Sequence, residues 1–153
     1  MVEFIFSYYF FYGASKGNPG ISGAGGLIIS PDRMLSINFC WGLGTLSNNQ
    51  AEFYSLLMAI QLVKKNGFLL VQIYGNSEIL IKALNSSDNP SNFALKIILQ
   101  RIRDISECFV KFDSFHILRE LNNSADVLAN KACLLPQGFL SINEEPRHFH
   151  SIP

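Results

Sequence analysis

The chain has 153 residues, of which 48% are hydrophobic and 16% charged, so it is long enough for one domain with a buried core. Twelve basic and twelve acidic residues give a formal net charge of zero, which excludes binding to a polyanion through overall charge. Three widely spaced cysteines, Cys40, Cys108 and Cys133, form no C-x-x-C pair. They disfavour a zinc site and indicate reduced thiols in an intracellular protein of the cytoplasm or nucleus.

The first third of the chain predicts three β-strands. Phe4 to Tyr12 carries aromatic residues at consecutive positions, which is typical of a central strand covered on both faces. This apolar start is too short to span a bilayer and lacks a basic leading segment, so we expect no membrane segment. A turn-rich loop, GASKGNPGISG, follows Tyr12. The next strands, AGGLIIS and MLSINFCWG, are joined by a hairpin at PDR.

The rest of the chain alternates helices and strands. LSNNQAEFYSLLMAIQLVKKNG predicts the longest helix, because Leu56, Ala59, Ile60 and Val63 recur at helical spacing. The segments that follow are the strand FLLVQIYG, the helices NSEILIKALNSS and NPSNFALKIILQRIRDISE, the strand CFVKFDSFHIL and the helix NNSADVLANKACLL. The order βββαβααβα predicts an α/β domain over residues 1–136, with a mixed five-stranded sheet and helices on both faces. Residues 137–153 are expected to form a loose C-terminal tail.

Four segments fall on these elements in the order and spacing of a known family. They are FYGASKGNPGISGAGGLI, LSNNQAEFYSLLMAIQL, VQIYGNSEILIKAL and FHILRELNNSADVLANKA. Over roughly residues 4–135 the chain resembles the ribonuclease H type 1 family, in particular the domain of plant retrotransposon-type proteins. The resemblance implies a ribonuclease H-like fold. It also implies cleavage of the RNA strand of RNA–DNA hybrids with two Mg²⁺ ions held by four carboxylates.

The chain keeps only half of that carboxylate set. Glu52 and Asp126 match two family acids, whereas Tyr12 and Asn76 replace the other two. A phenol is neutral near pH 7 and an amide carries no charge, so we expect Mg²⁺ binding to be weak or lost and cleavage to be impaired or absent. Asn76 could instead cap the helix that follows it. Glu78 is a poor substitute, because residues two apart on a helix do not share a face.

The positions that contact nucleic acid in the family are better kept. They are Gly13, Ala14, Ser15, Asn18, Ser47, Asn48, Asn49 and Gln50. In the family, such groups contact the RNA strand, which implies that RNA–DNA hybrid or RNA is the partner here. The alternative for each polar residue is a role in a turn or a helix cap. Binding is expected to be weak and salt-dependent, because few basic residues are available to contact phosphates, namely Lys16, Lys64, Lys65, Lys82 and Arg119.

His116 lies ten residues before Asp126 and matches a family histidine that sits near the scissile phosphate. The alternative, which we favour in the absence of the metals, is a histidine at a strand end with no catalytic task. Arg119, Glu120 and Asn122 precede the last helix, and we expect them to fix that loop by hydrogen bonds.

Three functions are compatible with these residues. The first is a monomeric domain that binds hybrid or RNA weakly and does not cut it. The second is an active ribonuclease H with a rearranged metal site, and the third is the same fold reused as a protein-interaction module, with a protein partner. The sequence is also compatible with origin in a larger polyprotein. We favour the first function, because the nucleic-acid-binding positions are kept and the metal-binding positions are not.

Overall fold

In the computed structural model, which describes residues 6–86, 89–143 and 145–149, seven strands form one mixed sheet. They are β1 (Ser7–Lys16), β2 (Gly20–Ile29), β3 (Ser36–Leu46), β4 (Leu70–Gly75), β5 (Lys111–His116), β6 (Phe139–Ile142) and β7 (Glu145–Phe149). Their order across the sheet is β5-β4-β1-β2-β3-β6-β7. The strands β1, β4 and β5 are parallel to one another, and the other neighbouring pairs are antiparallel.

Four α-helices and one 3₁₀-helix lie in the described ranges. They are α1 (Asn48–Lys65), α2 (Glu78–Asn85), α3 (Phe93–Ser106), α4 (Asn123–Ala132) and the 3₁₀-helix Arg119–Asn122. The first three begin at polar residues, Ser47, Ser77 and Asn92, whose side chains accept a hydrogen bond from the first helical turn. Within these ranges, no helix combines the length and the apolar character needed to cross a membrane.

The helices cover both faces of the sheet, as the sequence predicts. Neighbouring residues of a strand point to opposite faces. Gly13 of β1 lies against Ala51 of α1, whereas Tyr12 packs in a cluster with Ala125 and Ala129 of α4. The α1 face holds the larger core, which includes the four periodic residues Leu56, Ala59, Ile60 and Val63. The mixed α/β class and the predicted helices are therefore confirmed.

The predicted number of five strands is wrong, because the segment expected as a loose tail adds β6 and β7 to the sheet. β6 pairs with β3, and its Leu140 lies opposite Trp41 and is buried. This pairing satisfies backbone groups that would otherwise lie at an open sheet edge. The sequence indicates these two strands only weakly, because β6 has only four residues and β7 contains Pro146.

The turn-rich loop predicted between the first two strands is also much shorter than expected. β1 continues to Lys16 and β2 begins at Gly20, so only three residues connect them. The glycines in this segment are required by close helix packing rather than by a long loop. A Cβ atom at Gly13 would lie 2.1 Å from the Ala51 carbonyl carbon, and one at Gly23 would lie 2.5 Å from a backbone nitrogen of the α4 end. Glycine at these positions lets both helices approach the strands closely. Because β1 continues to Lys16, Tyr12 lies inside this strand rather than at its end.

Candidate functional site

A cleft of about 600 Å³ opens where β1 and β4 meet the N-terminal ends of α1, α2 and α4. Tyr12, Glu52, Asn76 and Asp126, the four positions that the family resemblance assigns to the carboxylates, all line it. The other lining residues are Gly13, Ala14, Ser15, Lys16, Asn48, Asn49, Ser77, Glu78, Ile79, Arg119 and Asn130. The fold therefore brings the predicted metal-binding positions together at one place.

Tyr12 presents a neutral phenol to the cleft. Its side chain is 9% exposed, and the guanidinium carbon of Arg119 lies 5.7 Å from the centroid of its ring. Burial raises the pKa of Tyr12 above its usual value. The carboxylates of Glu52 and Asp126 raise it further, and Arg119 opposes them. At neutral pH the residue therefore supplies no negative charge to the cleft.

Glu52 is a buried acid at the base of the cleft. Its side chain is 6% exposed, and its Oε2 atom has no hydrogen-bond partner among the described residues. Burial raises the pKa of Glu52 to about 8, and the neighbouring Asp126 adds to the increase. A hydrogen bond from the Gly13 N–H group and the charge of Arg119 oppose this shift. The carboxyl group therefore holds a proton more readily than an exposed glutamate does.

Asn76 is held by a neighbouring amide. Its Oδ1 atom accepts a hydrogen bond from Asn122 Nδ2 at 3.0 Å. Ser77, rather than Asn76, caps α2 by accepting from the Leu80 N–H group, so the capping role considered for Asn76 is wrong. Asn122 also donates to the Phe11 carbonyl oxygen at 2.9 Å, as expected for a residue that fixes the loop before α4.

Asp126 lies in the first turn of α4 and belongs to a polar chain. Its Oδ1 atom accepts a hydrogen bond from Asn130 Nδ2 at 2.8 Å. The Oδ1 atom of Asn130 in turn accepts a hydrogen bond from Lys16 Nζ. Asn130 therefore links a carboxylate to a lysine across the cleft. The sequence interpretation missed Asn130, although its i+4 spacing from Asp126 places both residues on one helix face.

Several residues predicted to contact nucleic acid make internal hydrogen bonds. Ser47 and Gln50 form a reciprocal capping box at the start of α1, with the Ser47 hydroxyl accepting from the Gln50 N–H group at 3.2 Å. The Asn18 side chain accepts from the Asn48 N–H group at 2.9 Å, and Ser15 donates to the Leu46 carbonyl oxygen at 2.8 Å. These bonds give each residue a structural role.

The remaining members of that set face the cleft. Asn48 and Asn49 are exposed at the start of α1, and both line the cleft. Gly13, Ala14 and Ser15 of β1 line it as well. Asn18, Ser47 and Gln50 do not lie among the lining residues. Of the predicted nucleic-acid-binding positions, those that face the cleft are therefore in β1 and at the two exposed asparagines.

His116 does not line the cleft. It ends β5, pairs with Gly75 of β4 and is exposed. Of the five basic residues considered for phosphate contacts, Lys16 and Arg119 line the cleft, whereas Lys64, Lys65 and Lys82 do not. Across residues 6–86, 89–143 and 145–149, no group of three or more His, Cys, Asp or Glu side chains is placed to hold a metal ion.

The mixed sheet, the helices on both faces and the cleft beside β1 and β4 define a ribonuclease H-like α/β domain. Residues 10–132 match the model of the family described as reverse transcriptase-like, and the chain belongs to this family. Ribonuclease HI of Halobacterium salinarum is 31% identical over 123 residues, which are 80% of this chain and 62% of that protein. A relative from Arabidopsis thaliana is 29% identical over 146 residues, which are 92% of this chain and 22% of that protein.

Solved structures agree with this assignment. The crystal structure of RNase H1 from Halobacterium salinarum superposes with a TM-score of 0.79 and 30% identity, covering 83% of this chain and 96% of that chain. LC11-RNase H1, which was isolated from compost by a metagenomic approach, was solved in complex with an RNA/DNA hybrid. It superposes with a TM-score of 0.74 and 26% identity over 83% of this chain and 96% of that chain.

Proposed function

We propose that this chain is a nucleic-acid-binding domain that holds an RNA–DNA hybrid or RNA in the cleft and cuts it slowly or not at all. Membership of the family and the likeness to LC11-RNase H1, solved with an RNA/DNA hybrid, support the class of ligand. The single observation that carries the loss of cleavage is the placement of Tyr12. A neutral aromatic side chain lies beside Glu52 and Asp126, where the family has an acid.

The side chains in the cleft do not fit a pair of Mg²⁺ ions. Mg²⁺ requires oxygen ligands in near-octahedral geometry, and two ions about 4 Å apart need closely placed anions to offset their repulsion. Here Tyr12 offers a phenol, and the Asn76 oxygen already accepts from Asn122. Glu52, with a pKa of about 8, competes for a proton at neutral pH. Asp126 is the remaining acid, and its Oδ1 atom already accepts a hydrogen bond from Asn130.

The expected loss of rate is large. If misplacement and lost charge removed about 4 kcal/mol of transition-state stabilisation, the rate would fall about a thousandfold. Binding has less reason to fail, because the exposed amides of Asn48 and Asn49 still face the cleft. We expect weak binding that depends steeply on salt, since Lys16 and Arg119 are the two basic residues that line the cleft.

A cleavage assay tests the loss of activity. A hybrid labelled on its RNA strand is incubated with the protein in Mg²⁺ or Mn²⁺, next to a Glu52→Gln variant that retains the size of the side chain. We expect no cutting above the background of the variant. Cutting that disappears in Glu52→Gln would favour the alternative of an active ribonuclease with a rearranged site.

The alternative of a protein-interaction module is favoured by one specific observation. Large apolar side chains are exposed at the end of β5, just after it and in the 3₁₀-helix, with Phe115 at 42%, Leu118 at 64% and Leu121 at 70% exposure. A low-salt titration with hybrid and with duplex DNA of matched length separates the two functions. A preference for hybrid supports the nucleic-acid role, and equal or absent binding favours the interaction module.

Cys40, Cys108 and Cys133 are not joined in disulfides, which suits a reducing compartment, so the proposal includes an intracellular location in the cytoplasm or nucleus. It also includes a monomeric state, which sedimentation analysis tests, and descent from a retrotransposon-type protein.

A further inference from the structure

Two cationic side chains lie in the cleft together with the two surviving acids. Arg119 and Lys16 line the same surface as Glu52 and Asp126. Glu78 also lines the cleft, but it forms a salt bridge with Lys82, with Nζ and Oε1 3.2 Å apart. The fixed charges that face the cleft without a salt-bridge partner among the described residues are therefore two acids and two bases, even when Glu52 is counted as ionised.

Arg119 lies close to two of the groups that line the cleft, Tyr12 and Glu52. Its guanidinium carbon is 5.7 Å from the Tyr12 ring centroid, within the range of a cation–π contact. Burial raises the pKa of Tyr12 and of Glu52, and the positive charge of Arg119 opposes both increases. A guanidinium held by an aromatic ring has several N–H donors left to bind another anion. Arg119 is exposed, so these donors are accessible from the cleft.

Lys16 lies near the other acid. It donates a hydrogen bond to Asn130 Oδ1, and the Asn130 amide donates to Asp126. The ammonium group keeps further N–H donors, because it has three in total. Each surviving acid thus has a protein cation in its surroundings, Arg119 for Glu52 and Lys16 for Asp126.

The electrostatic consequence concerns the approach of a phosphate. A cleft with four carboxylates repels a phosphodiester unless bound cations intervene. In this chain Tyr12 and Asn76 carry no negative charge, Lys16 and Arg119 offset Glu52 and Asp126, and the third acid, Glu78, is paired with Lys82. A phosphate can therefore approach the guanidinium directly. Guanidinium groups recognise phosphate oxygens through paired, charge-assisted hydrogen bonds.

We propose that Arg119 and Lys16 bind a phosphodiester of the nucleic-acid backbone directly, so that the cleft holds hybrid or RNA with no divalent cation between. The inference rests on the proposed function, since it names how the same cleft binds its ligand. In this chain protein cations would take the place of the metal pair in neutralising the phosphate, in keeping with cleavage that is slow or absent.

The test is fluorescence anisotropy with a labelled RNA–DNA hybrid, in EDTA and in Mg²⁺ at equal ionic strength. We expect the affinity in EDTA to equal or exceed that in Mg²⁺. Binding that appears only with Mg²⁺ overturns this inference and leaves hybrid binding itself intact. Absence of hybrid binding under both conditions refutes the proposed function, and the inference fails with it.

Variants assign the contact to Arg119. Arg119→Gln is expected to reduce the affinity in EDTA about tenfold and to lower the slope of log K against log salt by about one. Arg119→Lys should keep most of the salt slope but lose part of the affinity, because an ammonium lacks the paired geometry. Arg33→Gln is the matched control, since Arg33 also lies over a tyrosine of β1, at 4.4 Å from the Tyr8 ring, but outside the cleft.

The control should bind like the unaltered protein. Equal affinity and equal salt slope for Arg119→Gln and Arg33→Gln would refute the role of Arg119. Thermal melting of each variant, recorded beforehand, shows whether it is folded. If Arg119→Gln does not fold, Lys16→Gln provides the same comparison, with a smaller expected loss because Lys16 also bonds Asn130.

Discussion

Asn122 donates a hydrogen bond from its side-chain nitrogen to Oδ1 of Asn76 at 3.0 Å and another to the Phe11 carbonyl oxygen at 2.9 Å. Asn122 is 1% exposed, so these bonds fix the loop before α4 against β1 and the end of β4. An aspartate at position 76 can accept the same bond, and a charge makes it stronger. The substitution Asn76→Asp can therefore be made without disturbing this junction.

The double substitution Tyr12→Asp with Asn76→Asp is expected to restore divalent-cation binding at least in part. It returns two carboxylates to a cleft that already holds Glu52 and Asp126. Isothermal titration with Mg²⁺ and Mn²⁺ should show saturable binding in the double variant and none in the unaltered protein. Removal of the Tyr12 ring from its contacts with α4 should also reduce the free energy of unfolding by about 3 kcal/mol.

Two controls accompany the double variant. Adding Glu52→Gln to it should abolish the restored binding, because the remaining oxygen carries no charge. Asn76→Asp alone should bind weakly, since Tyr12 still occupies its place. If the double variant is folded and gives the same titration as the unaltered protein, the assignment of these two positions to a metal site is wrong.

Much of the fold follows from local patterns in the sequence. The polar cap at Ser47 and the apolar stripe of α1 are contained in one continuous segment, and the structure confirms the helix at Asn48–Lys65. β6 and β7 do not follow from such local patterns, because strands of four and five residues depend on their pairing, β6 with β3 and β7 with β6. The glycines of β1 and β2 were misread as a loop, since the close approach of helices is a long-range property.

The sequence predicts which residues gather at the site, but it does not predict the hydrogen bonds that they make. Motif order brought Tyr12, Glu52, Asn76 and Asp126 together, and all four line one cleft. Residue type alone could not show that Asn130 connects Asp126 to a lysine. It also could not separate polar residues that bond within the protein from those that face the ligand, because the two kinds have the same side chains. Ser47 and Asn49 are such a pair.

Substitution of Gly13 by alanine should strongly destabilise the protein. The added Cβ atom would lie 2.1 Å from the Ala51 carbonyl carbon and 2.2 Å from the Glu52 nitrogen, and backbone atoms cannot move aside independently. We expect the free energy of unfolding in urea to fall by about 3 kcal/mol, or the chain to fail to fold. Gly67→Ala is the control, because nothing lies within 4 Å of its Cβ position. The positive φ of Gly67 alone should reduce the free energy of unfolding by about 1 kcal/mol in this variant. Equal stability of the two variants would contradict the close packing of α1 on β1.

Ser47 and Asn49 are expected to respond differently to alanine. Ser47→Ala removes the capping box of α1 and should lower the free energy of unfolding by about 1 kcal/mol. Asn49→Ala should leave stability nearly unchanged, because the residue is exposed, but it should weaken hybrid binding measured by anisotropy. The two variants are compared by urea unfolding and by titration at low salt. If only Ser47→Ala lost hybrid binding, the prediction would be wrong, and Ser47 rather than Asn49 would contact the ligand.

The stability of the protein should depend on the protonation of Glu52. Burial raises the pKa of this carboxyl in the folded state to about 8 from an ordinary value of 4.5. Between these values the folded protein keeps a proton that the unfolded chain has released. The contribution of the protonated Glu52 to the free energy of unfolding is therefore fully present below pH 4.5 and is lost as the pH rises towards 8. Linkage sets the slope at no more than about 1.4 kcal/mol per pH unit.

Glu52→Gln removes this titration while retaining the shape of the side chain, so its free energy of unfolding should fall less steeply than that of the unaltered protein between pH 5 and pH 8. The difference in favour of the variant should grow to at most about 3 kcal/mol at pH 7, because the unaltered protein must either retain a proton or bury a charge. Urea unfolding across this range measures it, with Glu120→Gln as a control at an exposed acid. Parallel pH profiles for the unaltered protein and Glu52→Gln would show that Glu52 is ionised and compensated in the fold, and the metal-binding capacity of the cleft would then be larger than proposed.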